Sequence, residues 1–180
     1  SRARKAGDRG PGFLLEAVEG GAGRGRSSMV GLDPGLIWRC GETAEIARGP
    51  TLTAFVPDHR HPLDSLRALI AESAVGAADA GTLPPMAAGV FGYLGYDMVR
   101  EMERLPPAKP DPISVPDSIF MRPTMMVGFD SVRDEIAIVP TVRTEAGDQP
   151  ALAYAVASRN IQTIVDILAG PLPRNATAPK

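Results

Sequence analysis

FLLEAVEGGAGRGRSSMVGLDPGLIWRCGETAEIA, residues 13–47, is the stretch on which the fold turns. Phe13–Val18 is an apolar run interrupted by Glu16, and it suits a buried strand. The glycines of Gly20–Gly25 suit a hairpin turn, which leads into a second short strand, Ser27–Leu32. Asp33-Pro34-Gly35 is a turn signal, because Pro presets φ and Gly tolerates positive φ. Leu36–Cys40 and Thr43–Ala47 then follow as further strands of a meander. Short strands joined by turns, with no helix between them, point to antiparallel pairing.

Outward from this meander the pattern changes. Residues 1–12 have no hydrophobic period and read as a flexible arm. Pro62 opens a helix in which Leu63, Leu66, Leu69 and Ile70 form one apolar stripe, ended by the small residues Ala74–Thr82. Met86–Tyr96 alternates small and bulky apolar residues and reads as a central strand with close backbone neighbours. Asp97–Leu105 suits a short helix, stopped by Pro106-Pro107, and residues 106–116 hold five prolines and must be extended. Ser118–Met121, Thr124–Phe129 and Glu135–Val139 read as three strands, the last two joined by a turn at Asp130–Asp134. Pro150–Ala169 reads as a helix with Leu152, Val156, Ile164 and Leu168 on its apolar positions, and Gly170-Pro171 ends it. Strands and helices are interspersed without βαβ alternation, so the fold class is α+β: mostly antiparallel sheet with a few packing helices.

Composition narrows the function. The 180 residues suffice for one domain with a real core, and 44% apolar with 22% charged residues is ordinary for a globular protein. Nineteen basic against 21 acidic side chains give a net charge of −2, which makes no case for nucleic acid or a membrane surface. No run approaches the length of a transmembrane helix, and the basic first ten residues lead into no apolar signal core. Cys40, alone in the chain, fits a reducing, cytoplasmic setting. A start at Ser1 without Met suits a processed chain or, better, a fragment.

Residue by residue, the usual chemistries are weak. His59 and His61 beside Asp58 read as solvated loop residues in preference to a metal site, and Cys40 beside Trp38 reads as a packed thiol. Gly20–Arg26 has no Lys-Ser or Lys-Thr at phosphate-loop spacing and leads into a strand, not a helix. Glu16 stands out as a carboxylate in a segment that otherwise calls for burial. Arg24 and Arg26 are its natural partners across the hairpin. Two readings stay open: a structural Glu–Arg pair, or a carboxylate that recognises a ligand's ammonium group.

Four separated motifs add a resemblance. Phe13–Gly21 with Gly25–Pro34, Ala88–Val99 (AGVFGYLGYDMV) with Glu103–Pro106, Pro116-Asp117 with its following strand, and Val127–Asp130 (VGFD) occur in that order. Together, over about residues 13–170, they resemble the N-terminal domain of anthranilate synthase component I, which opens on a segment close to FLLESVEGG…GRYSFIGLDP. The aminodeoxychorismate synthase large subunit is a sister family. A stand-alone small-molecule-binding module is a third reading.

The resemblance implies a parent lyase that makes anthranilate and pyruvate from chorismate and ammonia in tryptophan biosynthesis. It also implies Mg²⁺ and a glutamine amidotransferase partner, component II. Catalytic and Mg²⁺-binding residues would belong to a C-terminal chorismate-binding domain beyond a 171–180 linker, so this chain alone is expected to be inactive, with no catalytic or metal residue of its own. What the resemblance does carry over is part of a tryptophan feedback pocket: Leu15, Glu16, Ala17, Arg26 and Ser28. The family usually has Ser where this chain has Ala17, and Tyr where it has Ser27.

Overall fold

The computed structural model describes residues 10–16, 27–49, 51–74, 83–84, 86–106, 111, 113–143 and 149–171. Among the described residues, seven strands form one antiparallel sheet: β1 (Phe13–Leu15), β2 (Ser27–Cys40), β3 (Ala44–Arg48), β4 (Phe55–Asp58), β5 (Phe91–Leu94), β6 (Ser118–Asp130) and β7 (Glu135–Pro140). Helix α1 spans Pro62–Ser73, α2 spans Pro150–Ala169, and a 3₁₀ segment covers Tyr96–Glu101. Among the described residues no helix is long and apolar enough to cross a membrane.

Two long strands carry the sheet. β2 and β6 pair from Ser27↔Asp130 to Cys40↔Ser118. Each then shares its outer edge between two short strands: β1 and β3 beside β2, β5 and β7 beside β6. The expected turn at Asp33-Pro34-Gly35 is instead an irregularity within one 14-residue strand, and Ser118–Met121 with Thr124–Phe129 is likewise one strand of 13. Pro34 stands opposite Pro123 in the register, so two residues without an N–H meet where neither is asked to donate. Asp33 takes a positive φ of 48°, and its carbonyl accepts a 2.6 Å bond from the Thr124 hydroxyl. The strand bends there and continues.

Other expectations change in detail. Met86–Tyr96 yields only the four-residue β5, which ends the sheet path and is not central. Gly89 turns the chain before it, at φ 127°. Close backbone approach does hold at Gly92, where any Cβ would strike the Ile119 carbonyl of β6. The expected helix Asp97–Leu105 is the shorter 3₁₀ segment, led by Gly95. Strand β4 had no counterpart in the sequence reading. It carries Pro57, which an edge strand tolerates. Residues 1–9 of the expected 1–12 arm, the expected turn at Gly20–Gly25 and residues 172–180 of the expected 171–180 linker lie outside the described residues.

The core lies between the sheet and α1. Leu36, Trp38 and Cys40 of β2 and Ala44 of β3 pack with Leu66 and Leu69 of α1 and with Met98, all buried. Pro62 at the first helical turn and the Leu63, Leu66, Leu69 spacing are why this segment is a helix and why that face is covered. Ile70, expected in the stripe, is 52% exposed. Trp38 donates its indole N–H to Ser65 at 2.9 Å, and Ser65 donates to Asp58 at 2.6 Å. Every polar atom of this buried relay therefore has a partner.

Candidate functional site

β1 and the first half of β2 bring together what can be described of the expected effector residues. Leu15 pairs with Met29, and Glu16 follows at the end of the strand, on the side where Ser28 precedes Met29. Ser28 is half-buried in the ladder and lies opposite Phe129 of β6. Ala17, Arg24 and Arg26 lie outside the described residues, so the expected Glu16–arginine pair does too. The burial expected of this segment does not hold. Leu14 and Leu15 are 57% and 48% exposed, and Glu16 is exposed as well. Among the described residues the three-residue strand pairs with β2, and the Phe13 ring stacks on Phe91 with 4.9 Å between centroids.

Beside this ladder opens a cleft of about 600 Å³. Ser27, Met86, Gly128 and Ala137 line it, with Asp130, Arg133 and Glu135 also on its wall. Its volume is within the range of small-molecule sites, roughly 300–1,000 Å³. Gly128 is there because Met86 packs onto it: an added Cβ would come within 2.6 Å of the Met86 methyl. The Asp130 carboxylate accepts the backbone N–H of Val132 and of Arg133, both at 3.0 Å, and so shapes the β6–β7 turn. Sequence reasoning missed Met86 and Arg133 here. The only signal was Gly128 within the VGFD motif.

The other candidates are structural. Burial, reinforced by the charges of Glu101 and Asp117, pushes the Cys40 thiol up to about 11, so it holds its proton at neutral pH and is a poor nucleophile. Asp58 is turned toward Arg60 and Ser65, and His61 sits 3.3 Å from Glu101 at the start of α1. Among the described residues no three His, Cys, Asp or Glu side chains converge as a metal site would need.

Comparison with known proteins resolves the resemblance. No family model matches the chain. A curated relative from Cereibacter sphaeroides, anthranilate synthase component 1, is 45% identical over 152 residues, covering 83% of this chain. The chain belongs to the anthranilate synthase component I family. A Synechocystis anthranilate synthase component 1 is 35% identical over 173 residues, covering 92% of the chain. The crystal structure of anthranilate synthase component I from Streptococcus pneumoniae superimposes with a TM-score of 0.64 over 88% of the chain at 20% identity, a likeness of fold. The chain spans about 30% of the Cereibacter relative's length and 32% of the Synechocystis one.

Proposed function

We propose that residues 13–170 are the N-terminal domain of an anthranilate synthase large subunit, and that the domain contributes half of a tryptophan-binding effector pocket. The observation that carries this is the β1–β2 register, which gathers Leu15, Glu16 and Ser28 at one end of the sheet, in a chain 45% identical to a named component 1. A carboxylate on an exposed strand end, with a hydroxyl nearby, suits an amino-acid ammonium group. Arg26 would hold polar groups from the facing segment.

In this reading the rest of the subunit converts chorismate and ammonia to anthranilate and pyruvate, in the cytoplasm, with component II supplying ammonia from glutamine. Mg²⁺ would be bound there. The isolated chain would be inactive. The relatives' names favour this reading over aminodeoxychorismate synthase.

Two residues set how sensitive the pocket would be. Ala17 lacks the hydroxyl that the family's usual serine offers, a bond worth on the order of 1 kcal/mol or several-fold in affinity. Ser27 lines the 600 Å³ cleft, where the family's tyrosine would occupy space. Feedback by tryptophan is therefore expected to be weaker than in relatives with both residues, or lost. The test is a tryptophan inhibition curve on the full-length subunit with and without Ala17→Ser. A low-micromolar half-inhibition point in the unmodified enzyme would sink the weakened-pocket account.

A further inference from the structure

Pairing changes on both sides of the two long strands at one level of the sheet. Along β2 the outer partner passes from β1, at Gly31, to β3, at Leu36. Along β6 it passes from β5, at Met121, to β7, at Met125. Between the long strands the same level sets Pro34 opposite Pro123, with Gly35 the extra residue of a bulge. Neither proline has an N–H to give to the ladder. The chain that passes this level along the two edges is described at Gly12, Gly49, Val90 and Thr141.

Other bonds stand in for the ladder here. The Thr124 hydroxyl donates to the Asp33 carbonyl, the Gly49 N–H to Gly35 at 3.2 Å, and the Thr141 N–H to Thr124 at 2.8 Å. Four of the six positive-φ positions among the described residues are Asp33, Gly49, Leu52 and Gly89, so irregular backbone gathers where the ladder is weakest. The first three line a cleft with Pro34, and Gly89 lines a narrow one with Pro123. Backbone changes concentrated in a few such residues are how hinges are built.

An aromatic contact spans the level. Phe13 pairs with Gly31 on one side of it, and Phe91 pairs with Met121 on the other. Their rings stack with planes 25° apart. Gly31 allows this, because a Cβ there would strike the Phe13 ring. A single stacked pair is a weak tie, able to hold two bodies together and still release them.

We propose that the Pro34–Pro123 level is a hinge, on which the β1–β7 end of the sheet swings relative to the α1 end, with the Phe13–Phe91 stack as its latch. The device rests on the register and the ring contact and stands apart from the effector reading.

The test is a spin-label distance measurement on the full 180-residue chain. One label pair, at Val56→Cys and Ile136→Cys, lies across the hinge, and a second, at Val56→Cys and Ile70→Cys, lies within the α1 end; all three sites are exposed. Cys40 is buried and keeps its proton at neutral pH, so it takes no label. Phe13→Ala removes the latch, and Gly31→Ala lifts the ring from beneath. Either variant should broaden the distances across the hinge by roughly 2 Å or more, the scale of hinge rearrangements, and leave those within the α1 end unchanged. An unchanged distribution across the hinge, or equal broadening of both pairs, would overturn the proposal. So would loss of folding in both variants, because a latch is not part of the core.

Discussion

The two ends of the sheet are built to different standards. Under α1, Trp38, Leu36 and Leu69 are shut off from solvent, and the polar groups among them are fully paired. At the other end, β1, β7 and α2 leave large apolar side chains in the open. Leu14 and Leu15 of β1, Ile136 of β7, and Leu152, Tyr154, Ile167 and Leu168 of α2 are all exposed. Among the described residues helix α2 has no buried residue, and its main contact with the sheet is with β7. The difference separates what holds this fold from what the fold presents. The closed core lies under α1, although Met125, Met126 and Val127 of β6 are buried at the other end too, and the exposed apolar side chains are concentrated on β1, β7 and α2.

If that contrast is right, the greatest loss comes from the α1 side. Trp38→Ala removes a fully buried indole and the N–H that Ser65 accepts, and it should cost about 3–5 kcal/mol, read as a fall in the denaturant midpoint. A cost below about 1 kcal/mol would break the comparison.

An intermediate effect is expected from acid. Glu72 and Asp58 are both held below their ordinary values, Glu72 by Arg48 and Arg122 and Asp58 chiefly by Arg60. A carboxylate with a lowered folded pKa contributes fully above its unfolded value. That contribution is lost as pH falls toward the folded one. For Glu72 the window runs from its ordinary 4.5 down to about 2. The group is well exposed, so screening limits the contribution to roughly 1 kcal/mol. Glu72→Gln should flatten that part of a stability-against-pH curve, and an unchanged slope would contradict the assignment.

The smallest effect belongs to α2. Leu152→Gln should change the stability of this chain by less than about 0.5 kcal/mol, because the side chain is 64% exposed. A loss as large as that of Trp38→Ala would erase the distinction between the two ends.

The sequence made some of this plain. Proline at the start and glycine at the end placed α2 at Pro150–Ala169, and Pro62 with the leucine stripe placed α1. The antiparallel α+β class followed from strands without regular crossover helices. Asp33-Pro34-Gly35 and the break expected between Met121 and Thr124 fail for one reason: a proline ordinarily ends a strand, and only the register reveals that Pro34 and Pro123 face each other. Burial of Leu15 and Glu16 was read from local hydrophobicity, whereas exposure depends on what else packs there. The Arg48–Glu72–Arg122 cluster was invisible, because β3, α1 and β6 are brought together by the tertiary fold and by no local pattern. Leu15, Glu16 and Ser28 were found by resemblance, and the cleft beside them only by geometry.

The central claim, that the β1–β2 end supplies half of a tryptophan pocket weakened at Ala17, is most directly tested by tryptophan inhibition of the full-length subunit carrying Ala17→Ser, alone and combined with Glu16→Ala. The account predicts that Ala17→Ser lowers the half-inhibitory concentration several-fold and that adding Glu16→Ala removes the gain. No response to serine, or inhibition that persists without Glu16, would contradict it.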